Sequence, residues 1–259
     1  MSASKQHRLA VVGCGALAQL VHLPNAQKNP RVELTAVCDI DPATAERCRE
    51  KFGARRAETD WRRIVQDADI DLCILATHTN LRGEFIIPAL EAGKPVYTEK
   101  PLAPDRAEML AIVRAVRRTG VPVCVGHNRR SSPAVLELKR LLEKARTAKQ
   151  TDRPSVDRGQ VTPEQVPEAA GLQVLMRIND DVRSWKSWIF MADAGCMFVE
   201  MVHFLDLALW FNRGHPIKIY AEGSQRGNFS IILRFDDGSL TTIQHSFSGH
   251  FDYPKELIE

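Results

Sequence analysis

A short apolar strand running straight into Gly13-Cys14-Gly15-Ala16-Leu17-Ala18 constrains this chain more than any other feature. A strand, a glycine turn and a helix in that order leave little choice of local geometry. Gly13 permits the tight turn, Gly15 lets backbone N–H groups approach a pyrophosphate, and Ala18 stands where helix and strand pack closely. The anion would lie at the helix N-terminus, where unsatisfied donors and the dipole favour it. On its own, G-x-G-x-x-A is a weak pattern. A second apolar run, Val32–Cys38, ends in Asp39, 24 residues beyond Gly15, close to where a carboxylate that accepts a ribose 2′-OH is expected. Together they predict a dinucleotide site.

The first part of the chain keeps alternating. Apolar runs at Leu9–Val12, Val32–Cys38, Leu72–Ala76, Val96–Tyr97 and Val121–Val125 are separated by helical patterns near Leu17–Lys28, Pro42–Phe52, Leu81–Ala92 and Asp105–Thr119. Short, almost wholly apolar strands between helices predict a doubly wound parallel sheet covered on both faces, a Rossmann domain over residues 1–126. Residues 127–259 read differently. Strands are expected at Leu172–Ile178, Ile217–Ala221, Phe229–Phe235 and Leu240–Ser246, with an apolar helix at Met197–Phe211 and a hairpin turn at Asp237-Gly238. That pattern predicts an α+β domain with a mostly antiparallel open sheet. Between the two, Ala145 to Gly171 carries Pro154, Pro163 and Pro167 and no aromatic residue, and reads as a long connection.

Composition narrows the class. Of 259 residues, 44% are hydrophobic and 26% charged, ordinary for a globular protein in water. The net charge of +3 comes with scattered basic pairs, such as Arg55-Arg56 and Arg117-Arg118, that read as solvated helix faces, which argues against nucleic acid. Six cysteines without any C-x-x-C argue for buried thiols in a reducing compartment; Cys14, Cys38, Cys73 and Cys124 fall in or beside strands. The first residues lack the apolar segment of a signal peptide, and no apolar run is long enough to cross a bilayer, so the expected location is cytoplasmic.

Chemistry-bearing residues gather in three places. Glu99-Lys100-Pro101 follows the strand at Val96–Tyr97, and Thr77-His78-Thr79-Asn80 follows Leu72–Ala76; ligands of open α/β sheets lie outside such carboxyl ends. Gly126-His127-Asn128-Arg129-Arg130 follows the next strand. On spacing alone, Lys100 reads more readily as a surface lysine, and His127 and Arg129 as polar or solvated loop residues. In the second half, Glu200, His203 and Asp206 interrupt an otherwise apolar helix at intervals of three. Burying ionisable groups is costly unless they are paired or line a polar cavity. Three readings follow: a structural network, a face turned to a cleft with His203 as proton acceptor and donor, or a metal site, for which no further histidine stands at ligand spacing. Trp185 and Trp188 precede this helix and read as core.

Taken together these motifs resemble the Gfo/Idh/MocA family of NAD(P)-dependent oxidoreductases. The resemblance runs from about Arg8 to the end and rests on the glycine turn, His22-Leu23-Pro24, Asp39 with Asp41-Pro42, Ala92-Gly93-Lys94, Glu99-Lys100-Pro101, Arg129-Arg130, and His203 with Asp206. It implies a Rossmann domain followed by a domain whose open sheet often forms a dimer face. It places Lys100 beside the nicotinamide and substrate, and His203 on the substrate side. There are three departures. Many members carry an aspartate four residues before the histidine, where Val199 stands here, with Glu200 three before; many carry a histidine where Arg82 stands; and members usually run well beyond this length, so later elements of the second domain are expected to be absent.

The resemblance implies an oxidoreductase acting on a sugar, inositol or related polyol. Lys100, His203 and Glu200 are the candidate catalytic residues. Gly13, Gly15, Ala16, Leu17, Asp39, Thr77, His78, Asn80, Glu99 and Lys100 are the candidate cofactor contacts. Lys100, Asn128, Arg129, Glu200 and His203 are the candidate substrate contacts, and no metal is expected. Asp39 would repel a 2′-phosphate, and Ile40-Asp41-Pro42 offers no compensating arginine, so NAD is expected over NADP. Expected partners are a small polyol or sugar and further copies of the chain through the second sheet, with no nucleic acid and no membrane. Two other readings stay open: a dinucleotide-binding sensor without turnover, and an NAD-dependent glycoside hydrolase.

Overall fold

β1 (His7–Val12) and β2 (Val32–Cys38) are buried over most of their length, as continuous apolar runs require when helices cover both faces of a sheet. The computed structural model describes residues 6–147, 171–181, 183, 195–224, 227–250 and 252–259. Trp185, Trp188 and residues 148–170 of the expected connection lie outside them. The chain divides into two compact units, Met1–Gly126 and His127–Glu259.

In the first unit β1 and β2 join β3 (Arg56–Glu58), β4 (Leu72–Leu75), β5 (Val96–Thr98) and β6 (Val123–Val125) in an all-parallel sheet of order β3-β2-β1-β4-β5-β6. The strand order reverses between β1 and β4, and both end beside that switch point, where open α/β sheets bind ligands. One face is packed by α1 (Leu23–Lys28) and α2 (Pro42–Phe52), through Leu23, Ala26, Cys48 and Phe52. The other is packed by α3 (Trp61–Gln66), α4 (Arg82–Glu91) and α5 (Arg106–Thr119), through Ile64, Phe85, Ile86, Leu90 and Ile112. Local chemistry starts these helices where the sequence predicts. Asp41 accepts from the Ala43 and Thr44 N–H groups with Pro42 in the first turn, and Asp105 accepts from Glu108 N–H. The expected helix at Leu17–Lys28 contains a π-helical segment, Ala18–His22, just before α1.

The second unit is built on a five-stranded sheet of β7 (Gln173–Asn179), β8 (Pro216–Gly223), β9 (Phe229–Phe235), β10 (Leu240–Ser246) and β11 (Glu256–Ile258), in the order β11-β7-β10-β9-β8. It is mostly antiparallel, but β7 and β10 run parallel. The Asp237-Gly238 turn joins β9 to β10 as expected, with Phe235 and Ser239 bonded across it. The strict alternation of β9 sends Phe229, Ile231, Leu233 and Phe235 into a core with Met201, Phe204, Leu207 and Phe211 of α7 (Gly195–Phe211). A helix missing from the sequence reading, α6 (Pro133–Thr147), adds Val135, Leu138 and Leu142 to that core. The long connection therefore begins later than Ala145.

One expectation is corrected. Cys14, Cys38 and Cys73 are buried, but Cys124 is exposed, because β6 is an edge strand with only one neighbour. Burial pushes the Cys38 and Cys73 thiols up to about 12, so both stay protonated near neutral pH.

Candidate functional site

In the first unit the glycine turn is fixed by what its neighbours leave room for. Gly13 sits at φ +91°, and a Cβ there would come 2.8 Å from the Ala76 carbonyl carbon and oxygen. Only glycine allows this turn to close against the end of β4. Gly15 is the opposite case: a Cβ added there meets nothing within 4 Å, so its surface opens on unfilled space. Gly15, Ala16 and Leu17 are exposed at the start of the helix, whose first N–H groups lack intrahelical partners. This cradle suits the pyrophosphate of a dinucleotide.

Asp39 does more than the sequence suggests. Its Oδ2 accepts the Cys14 N–H at 2.7 Å and its Oδ1 accepts the Asp41 N–H at 3.0 Å. Each carboxylate oxygen keeps a further lone pair for a ribose hydroxyl. The charge that would read the ribose thus also ties the glycine turn to β2. Beyond β4, the Thr77 hydroxyl donates to the His78 carbonyl at 3.2 Å, while His78 and Asn80 are exposed in the same turn.

Beyond β5, Glu99 is engaged with His22, Nε2 to Oε1 at 2.9 Å, and both side chains are largely buried. The π-helical segment ends on His22, which lies edge-on to Tyr97 at 5.5 Å between ring centroids. Burial alone would raise the Glu99 pKa. The His22 bond and charge, the Lys100 N–H and the Arg82 charge outweigh it and hold the carboxyl below its usual range. Lys100 is half-buried and precedes a cis peptide to Pro101.

The second unit gathers charged side chains from distant parts of the chain. Glu200 and His203 are buried on α7. Glu200 Oε1 accepts from Arg129 Nη2 at 2.9 Å and from Lys255 Nζ at 3.0 Å. Arg129 also bonds Glu256 at 2.7 Å and lies over the Phe204 ring, 5.6 Å from its centroid. Asp206 is held bidentately by Arg130 at 2.7 and 2.5 Å, with His127 Nε2 at 3.7 Å. The His127 and His203 rings meet edge to face at 6.1 Å. Asn128 accepts from Arg129 at 3.3 Å. Lys255 also reaches Asp180 Oδ1 at 3.0 Å, and Asp180, fully buried, meets His245 at 3.1 Å. Opposing carboxylates raise the Lys255 pKa against the pull of its burial.

The structure therefore brings Asn128, Arg129, Glu200 and His203 into one neighbourhood, and gives Glu200 and Asp206 cationic partners. Asp180, His245, Lys255 and Glu256 belong to that network and were not singled out from the sequence. His245 stands 65 residues from Asp180 and Lys255 stands 55 from Glu200, and no spacing rule reports such contacts. Among the described residues, no group of three or more His, Cys, Asp or Glu side chains could hold a metal ion, and no helix is long and apolar enough to cross a membrane.

Comparison with known proteins bears on the family and the fold. Residues 7–127 match the model of the Gfo/Idh/MocA oxidoreductase family, described as having an NAD-binding Rossmann fold. The inositol 2-dehydrogenase 2 of Saccharopolyspora erythraea is 33% identical over 180 residues, 68% of this chain and 52% of that protein. The myo-inositol 2-dehydrogenase of Thermotoga maritima is 23% identical over 262 residues, 96% of this chain and 71% of its own length. The chain thus spans about half of the first relative and seven tenths of the second. Among solved structures, the WlbA dehydrogenase of Chromobacterium violaceum, in complex with NADH and UDP-GlcNAcA, superposes with a TM-score of 0.76 at 23% identity, covering 98% of this chain and 72% of that one. With its strand order, its glycine turn and the match over residues 7–127, the chain belongs to the Gfo/Idh/MocA family of oxidoreductases with an NAD-binding Rossmann fold.

Proposed function

We propose that the chain is an NAD-dependent dehydrogenase that moves a hydride between the cofactor and a CH–OH carbon of a cyclitol, sugar or related polyol. The observation that carries the cofactor half is the open space at Gly15 beside the Asp39 carboxylate. The substrate class is supported by the inositol dehydrogenases among the relatives. Asp39 favours NAD, since its charge would oppose a 2′-phosphate.

A dinucleotide held by the Gly13–Leu17 turn and Asp39 would supply hydride-accepting chemistry at its nicotinamide. The remaining work falls to side chains. His203 takes the hydroxyl proton in oxidation and returns it in reduction, the role its buried imidazole suits. For Lys100, in the first unit, the role is a hydrogen bond to a substrate oxygen that stabilises negative charge as it develops. Asn128 and Arg129 contact further hydroxyls. Glu200, already accepting from Arg129 and Lys255, orients these groups. NADH, NADPH and polyol binding followed by fluorescence, with NAD⁺ reduction assayed over inositols and sugars, tests the reading. Turnover that falls by about 10²–10⁴-fold in His203→Ala, with NADH affinity kept, supports it. Tighter binding of NADPH than NADH would overturn the assignment of Asp39.

The engagement of Glu200 by two cations favours one alternative, a dinucleotide-binding regulator without turnover. That reading predicts NADH binding, no hydride exchange with any polyol, and indifference to His203→Ala.

We further propose a homo-oligomer in a reducing, cytoplasmic setting. β8 exposes Ile217, Ile219 and Tyr220, and β9 exposes Ile232, which gives the second sheet apolar surface for a further copy. A monomeric mass by light scattering across the micromolar range would sink this part.

A further inference from the structure

We infer that Arg82 is the positioning residue for Lys100: its buried guanidinium ties the backbone of residues 100 and 101 to the turn after β4, and so sets where the lysine side chain starts. The inference rests on the role proposed above for Lys100.

Arg82 opens α4 and is 3% exposed. Its Nη1 donates to the Pro101 carbonyl, and its Nη2 lies 3.4 Å from the carbonyls of both Thr77 and Lys100. Three carbonyl oxygens from two strand-end segments therefore converge on one side chain. Its Nε has no hydrogen-bond partner among the described residues, so its contacts to the protein run through the two terminal nitrogens. Burial lowers its pKa to about 10 against the opposing pull of Glu99 and Glu108, which leaves it cationic at neutral pH. The helix start is fixed independently, since Glu108 accepts the Gly83 N–H at 2.7 Å and a Cβ at Gly83 would fall 2.6 Å from the Glu108 side chain.

The preceding residue, Glu99, is held by His22. Lys100 thus follows one polar anchor in the chain, while Arg82 reaches the Lys100 carbonyl itself. A neutral imidazole offers one N–H donor, whereas a guanidinium offers five in a rigid fork and a permanent charge. Reaching three carbonyls at once is something the arginine can do and a histidine cannot.

The test compares Arg82→Met, Arg82→Lys and Arg82→His in the full chain with three readouts: NADH affinity, turnover, and the acetylation rate of Lys100 measured by mass spectrometry against the remote surface lysines Lys28 and Lys51. Misplacing a catalytic group by about 1 Å can cost about 10²-fold. The expected result for Arg82→Met is a fall in kcat of about 10–10²-fold, with KM and NADH affinity within about threefold. Lys100 acetylation should change at least about threefold while the remote lysines stay constant, and Arg82→Lys should recover part of both effects. Unchanged kcat and unchanged Lys100 labelling in a folded Arg82→Met protein would overturn the inference. So would parallel loss of NADH binding and turnover in all three variants, which marks a purely structural residue. If Arg82→Met does not fold, Arg82→Lys and Arg82→His decide by the same criteria. If the unaltered chain turns over no polyol, the proposed activity fails, and the labelling arm still decides whether Arg82 positions Lys100.

Discussion

The two units present their candidate ligand groups in opposite ways. Around the glycine turn the important surface is backbone: open space at Gly15, helix N–H groups, and an Asp39 carboxylate with lone pairs to spare. On α7 the important surface is side chain, and Glu200 and Asp206 are each held by arginines, with Lys255 added at Glu200. A backbone cradle needs only a few residue types at fixed spacing, because every residue carries the same N–H group. A network of buried charges needs particular partners from distant positions, since each buried charge without one is costly. The first region can accept a ligand with little rearrangement, whereas the second is already compensated internally.

The largest expected effect breaks the charge network. Asp180→Ala leaves His245 and Lys255 without their shared buried anion and should destabilise the second unit by about 3–5 kcal/mol, read from urea unfolding. A loss under about 1 kcal/mol would mean that the network contributes little to folding.

The two glycines sharpen the contrast next. Gly13→Ala forces a Cβ to 2.8 Å from the Ala76 backbone at positive φ, and should cost about 1–3 kcal/mol of stability or more. Gly15→Ala meets no protein atom within 4 Å, so stability should hold to within about 0.5 kcal/mol while NADH affinity falls. Paired melting curves and NADH titrations separate the two, and equal stability losses would contradict the geometry.

Asp39→Asn keeps the shape, removes the charge and leaves only one oxygen to accept the Cys14 and Asp41 N–H groups. The ratio of NADPH to NADH affinity should rise by about tenfold, equivalent to about 1.4 kcal/mol, in parallel fluorescence titrations. An unchanged ratio would place nucleotide discrimination elsewhere.

The smallest effect lies in the acid limb of stability. Glu99 has a folded-state pKa below its ordinary value of 4.5, so its contribution is full above that value and lost as pH falls through the folded-state pKa. Removing its hydrogen-bond partner with His22→Leu should flatten the fall of Tm below pH 4.5. An acid limb as steep as that of the unaltered chain would show that the pair does not stabilise the loop.

Much of the fold was legible because its signals are local. β2, α2, β9 and β10 run as the sequence predicts: buried parallel strands are continuous apolar runs, Asp41-Pro42 starts a helix, and Asp237-Gly238 turns a hairpin. β3 and α3 were missed because three and six residues are too few for a periodicity to emerge. α6 was overlooked although Pro133, Val135, Leu138 and Leu142 carry a helical pattern. The parallel pairing of β7 with β10 had no local signal at all.

The sequence by itself determined the Rossmann order, the glycine turn and the carboxylate at the end of β2, because each depends on residues close together in the chain and on one backbone geometry. Tertiary structure decided that Glu99 pairs with His22, that Arg82 reaches the carbonyls of residues 77, 100 and 101, and that Glu200 lies between Arg129 and Lys255. Buried charges choose their partners by proximity in a low-dielectric interior, and proximity across tens of residues exists only once the sheets have formed.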